Sequence, residues 1–394
     1  MKICFYCDTI FSIGGVQRVL AVLAKSLANK NVVTIITHDK PIAKNTQMYD
    51  LYEANINYIF ISHPPIPKLE YFFCKLYSFL YKNILPQNKF TSKYYGYSSF
   101  PPTYRKHLIG TINRERFDVV IGVHVFLSFH LASIKDKIKS KTIGWMHNSF
   151  EAFFLIKKPY IGQFWNYFKY QIPKLDKTIV LTKHDQEKYI ENFGFTPEVI
   201  YNPLTVKPKG TGSMKYKKFL AVGRMSEGHK GFDILIKAFA IFAKENNDWI
   251  LEIVGDGPEK GYLESLIREF NLRDRVIISP FTNNIEEKYA NASIFILSSR
   301  WEGFCLVLLE AMSHGLPIIS SDIPISKEIL SNHNGTFFFQ NENYKELASK
   351  MLELINNNNL ETIKEDSIEF AISNSIEAFQ NKWEYILEKG IPCQ

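Results

Sequence analysis

The stretch SIFILSSRWEGFCLVLLEAMSHGLPIIS, residues 293–320, decides the fold class. SIFILS (293–298) is an apolar run of strand length, and LPIIS (316–320) is another. The residues between them, near 304–314, have the apolar density and length of a helix. A strand, a helix and a second strand joined by short connections form a parallel crossover unit.

The same alternation extends outward on both sides. Upstream lie KFLAVG (218–223), a helix near 231–245, WILEIVG (249–255), a helix near 258–270 and VIIS (276–279). An earlier series runs KICFYC (2–7), VVTIITH (32–38), INYIFI (56–61), DVVIGV (118–123), KTIGWMH (141–147) and KTIVLT (177–182). After its first strand, Val16, Val19, Leu20, Leu23 and Leu27 recur at helical spacing. This pattern predicts an α/β protein with parallel, doubly wound sheets. YNPLTVKPKGTGS (201–213) holds two Pro, two Gly and little apolar content, and separates the two series. We therefore expect two Rossmann-like domains, 1–203 and 204–374. From about 343 the tail reads as helical, with an amphipathic last helix near 377–389.

Composition agrees with this division. A chain of 394 residues exceeds one ordinary core, and 46% hydrophobic content excludes a disordered chain. No apolar run is long enough to span a bilayer, and the N-terminus reads as a strand rather than a signal peptide. Five cysteines include Cys4 and Cys7, but no second pair completes a zinc site. All five are expected to be reduced, which predicts a cytoplasmic protein.

The net charge of +7 is uneven. Residues 1–201 hold 26 Lys+Arg and 14 Asp+Glu, giving +12; residues 202–394 hold 21 and 26, giving −5. A basic half beside an acidic half predicts an anionic partner for the first. The segment 64–107 carries Lys68, Lys75, Lys82, Lys89, Lys93, Arg105 and Lys106 against Glu70. Aromatics interleave them, including Tyr71, Phe72, Phe73, Phe79 and Phe90. Rings with cations suit an anionic membrane surface; the alternative is an insertion whose aromatics pack inward. No nucleic-acid fold signature accompanies the basic residues, so no nucleic-acid partner is expected.

Parallel α/β sheets bind ligands beyond the carboxyl ends of their strands. Gly14-Gly15 follows the first strand and opens a helix, whose N-terminal amides favour an anion. Gly255, Gly257 and Gly261 miss the dinucleotide spacing, and Asp256 puts negative charge where a pyrophosphate would sit. Arg224 leaves a strand end, and Lys230 stands six residues on at a helix start. Two such cations suit a diphosphate. Glu302 ends a loop after a strand, and Glu310 lies eight residues further. That helical separation spans on the order of 12 Å, enough to bracket a diphosphate between sugar and ribose. The amides near Gly303, Phe304, Cys305 and Leu306 would face the phosphates.

GG at 14–15, GRM…HKGFDILI at 223–236, IVGDGPE at 253–259 and E-x7-E at 302–310 occur in that order. Together they resemble the retaining glycosyltransferases of the GT-B fold, family 4, and most closely the members that build surface polysaccharides. The likeness covers nearly the whole chain and is weakest at 40–117. It implies two Rossmann-like domains facing a cleft, the first binding the acceptor and the second the nucleotide sugar. The final helix, within 375–394, would cross back to the first domain, anchored by Phe379 and Trp383. It implies sugar transfer from a nucleoside diphosphate donor, most simply a UDP-sugar, without metal or other cofactor. The acceptor would be a saccharide or a lipid-linked one. By position, Arg224 and Lys230 would bind the diphosphate. Glu302 would contact the donor sugar, and Glu310 the ribose. Gly15 and Gly255 would border the donor, and His147 in WMHNSF would face the sugar. Cys305 and Gln17 depart from the commoner Gly or Pro and Glu. A UDP-sugar 2-epimerase shares this architecture, and a non-catalytic sugar-nucleotide binder would keep the binding residues.

Overall fold

The computed structural model describes residues 1–388 apart from Glu227, 332–334 and 358–359, with the backbone alone at 360–363 and 366. Cys393, and the predicted end of the last helix beyond 388, lie outside the described residues. The chain divides into two compact units, Met1–Tyr201 with Phe379–Gln394, and Asn202–Ala378.

The first unit holds seven strands: β1 (Lys2–Cys7), β2 (Val32–Thr37), β3 (Ile56–Phe60), β4 (Val119–Val123), β5 (Lys141–Trp145), β6 (Lys177–Val180) and β7 (Glu198–Val199). They pair in parallel in the order β3-β2-β1-β4-β5-β6-β7. The second unit holds β8 (Lys218–Val222), β9 (Ile250–Val254), β10 (Val276–Ser279), β11 (Ile294–Leu297), β12 (Ile318–Ser321) and β13 (Thr336–Phe339). Their order is β10-β9-β8-β11-β12-β13, again parallel. The predicted doubly wound class is therefore observed twice. In each sheet the order reverses beside the first strand, between β1 and β4 and between β8 and β11. These are the places where a crevice opens for ligands.

Strands in such sheets are covered on both faces, which is why they read as unbroken apolar runs. All five residues of β4 and all four of β11 are buried. One exception is Glu252 in the middle of β9, which is buried but satisfied by Lys218, Lys288 and the Ser279 hydroxyl. The first core is aromatic, with Phe150, Phe153, Phe154, Phe168, Tyr189 and Phe193 in one cluster. The second is built from Phe219, Leu235, Phe239, Ile253 and Leu347 on one side, and Leu220, Phe295, Leu308 and Leu309 on the other.

The predicted strands over 32–38 and 141–147 end earlier, at Thr37 and Trp145, so His38 and His147 stand beyond the sheet. β7 and β13 were not expected: the first is two residues long, and TFFF follows too closely on a helix to stand out. The predicted linker 201–213 has no helix or strand, yet Gly212 and Ser213 donate to the backbone of His314 and Ala292. The last helix, Ile376–Glu388, buries Phe379 and Trp383 within the first unit, with the Trp383 ring 4.8 Å from that of Trp145. Among the described residues, no helix is long and apolar enough to cross a membrane.

Candidate active site

The site of the second unit is built on the loops after β8 and β11, neighbours at the reversal point. Backbone contacts bind these loops together. The Ser298 hydroxyl donates to Lys230 O at 2.8 Å, and Arg300 N donates to His229 O at 2.8 Å. Gly231 has φ +60°, and a Cβ there would sit 2.0 Å from Ser298 O. No side chain fits, so glycine is required where the loop turns into the helix Phe232–Phe242. Gly255 plays a similar part: at φ +151°, its Cβ would lie 2.0 Å from Gly223 O. It lets the loops after β8 and β9 touch.

This packing places Lys230 against Glu302. Their Nζ and Oε1 atoms are 2.5 Å apart, and both side chains are largely buried. Ser299 Oγ donates to the same carboxylate at 2.6 Å, and His229 Nε2 lies 3.6 Å from its other oxygen. Burial alone would raise the Glu302 pKa. The charge and hydrogen bond of Lys230, with His229 nearby, outweigh it and hold the carboxyl well below its usual range. Lys230 shifts the opposite way: burial would lower it, but Glu302 raises it. The His229 ring stacks on Trp301, 5.0 Å between centroids. Arg224 stands apart, exposed and without an ion pair among the described residues.

Arg300 clamps the rear of the loop. Its guanidinium meets both Asp233 oxygens at 2.9 Å, Glu342 at 2.8 Å and Gly228 O at 2.5 Å. Glu259 accepts the Gly228 N–H at 2.7 Å. A cavity of about 110 Å³ lies beside Lys230, lined also by Asp233, Glu259, Tyr262 and Arg300. It has room for a few waters.

The helix Leu306–Ser313 begins at Cys305 without a side-chain cap. Its first N–H, of Leu306, donates to Phe304 O at 2.9 Å. Gly303 and Phe304 are half-buried; the Cys305 side chain is buried, and burial pushes its thiol well above its usual range. Glu310 is buried and accepts from Tyr289 Oη at 2.8 Å.

The first unit holds the other expected residues. Gly15 is exposed at the start of the helix Gly15–Ala28, which also lacks a side-chain cap. The preceding turn is tied by Tyr49, whose hydroxyl accepts from Gly14 N at 2.9 Å. His147 follows β5, buried, its ring 4.1 Å from that of Trp145 and its Nε2 without a partner among the described residues. Burial, reinforced by His124, pushes its pKa well down, so the ring is neutral at pH 7. His124 itself follows β4 directly, at φ +85°, ψ 160°, a region nearly exclusive to glycine. Burial lowers its pKa to about 4. Neither His124 nor the Arg300–Asp233 clamp was anticipated. A lone histidine after an apolar run gives no sign of its backbone angles. Asp233 and Arg300 lie 67 residues apart.

Comparison with known proteins agrees with this geometry. A family model described as "Glycosyl transferases group 1" matches residues 205–369, and one described as "Glycosyltransferase Family 4" matches residues 13–207. An uncharacterized glycosyltransferase of Haemophilus influenzae is 28% identical over 98% of this chain and 99% of its own. The N-acetylgalactosamine-N,N'-diacetylbacillosaminyl-diphospho-undecaprenol 4-alpha-N-acetylgalactosaminyltransferase of Campylobacter jejuni is 25% identical over 78% of each chain. Anabaena Alr3699/HepE, solved with UDP and glucose, has the same fold, with a TM-score of 0.74 at 16% identity over 99% of this chain and 100% of that one. With matches from residue 13 to residue 369 and two parallel Rossmann-like sheets, the chain belongs to the family 4-type glycosyltransferases of the GT-B fold.

Proposed function

We propose that this glycosyltransferase moves a hexose or N-acetylhexosamine from a UDP-sugar to a saccharide or lipid-linked acceptor, in building a surface polysaccharide or glycoconjugate. Configuration at the anomeric carbon is retained, and no metal takes part. The observation that carries this reading is the buried Lys230–Glu302 pair at the reversal point of the second sheet. The Anabaena structure with UDP and glucose supports the donor class, and the diphospho-undecaprenol in the Campylobacter relative's name supports a lipid-linked acceptor.

In this reading the bond from the sugar C1 to the diphosphate oxygen breaks, and negative charge gathers on the leaving UDP. Lys230, Arg224 and the amides of 303–305 stabilise that charge where it develops; the Leu306 amide, expected among them, is already bonded to Phe304 O. These cations do the work of a metal, and the chain contains no Asp-x-Asp pair. Glu302 accepts hydrogen bonds from sugar hydroxyls, Glu310 from the ribose. The roles of Gly15 and His147 rest on the family resemblance; within its own unit His147 is a buried, neutral ring. The acceptor oxygen bonds to C1 on the face UDP leaves, and its proton passes to the diphosphate. A cytoplasmic position, peripheral on the inner face of the cell membrane, completes the reading. Four free, buried cysteines, Cys4, Cys7, Cys74 and Cys305, fit a reducing compartment.

The test is transfer by Glu302→Gln, Lys230→Gln and the double variant, with folding verified by far-UV circular dichroism. Each single change strands a buried charge; the double change removes both. All three should lose at least about a hundredfold in turnover. A folded double variant with wild-type turnover would refute the assignment.

A further inference from the structure

The segment 64–107 contains three helices, Lys68–Asn83, Lys89–Tyr95 and Pro102–Glu115, the last running on to residue 115. The first is held in one orientation by its inner face. Cys74 and Tyr81 are buried, and the Tyr81 ring stacks on Tyr95 at 4.4 Å. Tyr77 donates to Thr91 O at 2.9 Å. Glu70, the one acid of the segment, also faces inward, accepting from Thr103 N at 3.0 Å and Thr103 Oγ1 at 2.5 Å.

The outer face is apolar and uncovered. Leu69, Phe72, Phe73, Leu76 and Phe79 recur at i, i+3, i+4, i+7 and i+10, one stripe of a helix. Leu69, Phe72, Phe73 and Phe79 are each 57–68% exposed. Lys68, Lys75 and Lys82, seven residues apart, form an exposed row along one flank of that stripe. Beyond the helix, Ile84 and Phe90 are 67% and 79% exposed, beside exposed Lys89 and Lys93. Soluble surfaces rarely leave so many large rings together in water. An apolar stripe flanked by cations, with the only carboxylate turned inward, is complementary to acyl chains beneath anionic headgroups.

We infer that the helix Lys68–Asn83 lies in the plane of an anionic lipid surface, its Leu69–Phe79 stripe in the headgroup–acyl boundary and its lysine row against the phosphates. The inference gives the proposed peripheral position its surface, and it stands apart from the chemistry of sugar transfer. Each lysine near an anionic leaflet is worth roughly fivefold in partitioning, and three together about a hundredfold.

The experiment is flotation of the full chain at low salt with phosphatidylcholine vesicles, with and without phosphatidylglycerol. The wild type should float with the anionic vesicles and much less with the neutral ones. Lys68→Gln/Lys75→Gln/Lys82→Gln should lose about a hundredfold in anionic partitioning, and Phe72→Ser/Phe73→Ser at least about tenfold. All substituted side chains are exposed, so the far-UV spectra should match the wild type. A wild-type chain that stays in solution at low salt overturns the inference, as does unchanged flotation of the two variants. A dimer that does not float and that Phe72→Ser/Phe73→Ser dissociates would assign the face to a second copy, also overturning it. A UDP-induced thermal shift, measured in parallel, reports separately on the donor site: its absence in a chain that floats refutes the donor reading and leaves the membrane surface standing.

Discussion

Glu302 shows how a residue that the proposed chemistry uses also bears on stability. Its folded pKa lies below the reference value of 4.5, so its contribution is complete above that value and is lost as pH falls through the folded value. Lys230 is raised above 10.5, so its contribution is complete below that value and is lost as pH rises through the folded one. The pair therefore supports the fold between these limits. Glu302→Gln should cost about 3 kcal/mol at pH 7, because Lys230 is left buried and unpaired. The gap to wild type should narrow as pH drops below 4.5, which urea midpoints measured across pH would reveal. His124 makes the opposite case. Its backbone strain costs on the order of 1–3 kcal/mol, and glycine removes it at an entropic cost of about 0.5–1 kcal/mol. His124→Gly and His124→Ala both lose the ring beside Phe153, but only Ala keeps the strain, so the Gly variant should melt above the Ala variant; an equal or lower midpoint would mean the strain is not felt. Glu302 and Lys230 were legible in sequence because each sits at a fixed offset from a strand end. Their direct pairing was not, since 72 residues separate them.

At the scale of elements, the last helix is the clearest case. The sequence shows its amphipathic stripe, and the structure shows what it covers: Trp383 is fully buried against Trp145 and Phe379. Trp383→Ala should destabilise the chain by about 3–5 kcal/mol. Trp383→Phe should cost far less, because the buried Trp383 Nε1 has no hydrogen-bond partner among the described residues to lose. Chemical denaturation of both variants checks the difference. The helix Lys68–Asn83 is the contrary case. Composition alone left two outcomes open, rings packed inward or rings presented outward. Both occur: Tyr81, Tyr95 and Phe100 are buried, and Phe72, Phe73 and Phe79 are not. Helix phase decides which, and that phase is set by contacts of Glu70 and Tyr77 with residues distant in sequence.

At the scale of the whole molecule, two parallel sheets follow from the alternation of apolar runs and helical segments. The unit boundaries fall at Tyr201 and Phe379, so the chain leaves its first unit and returns to it. The +12 of residues 1–201 gains a location in the structure: several of its lysines stand on helices 68–83 and 89–95, exposed beside exposed rings. Charge asymmetry visible in composition thus becomes a surface only where helices orient it.

The amino-acid sequence by itself determined the fold class, the two series of strands, the loops that carry Arg224, Lys230 and Glu302, and the helix that carries Glu310. It could do so because strand runs, glycine turns and helix starts are written in local patterns with short periods. The tertiary structure alone decided that Lys230 pairs with Glu302, that Arg300 locks Asp233, that His124 takes a strained backbone, and which rings of 68–107 meet solvent. Those outcomes depend on contacts between distant segments, and no local period encodes which distant partner a side chain will meet.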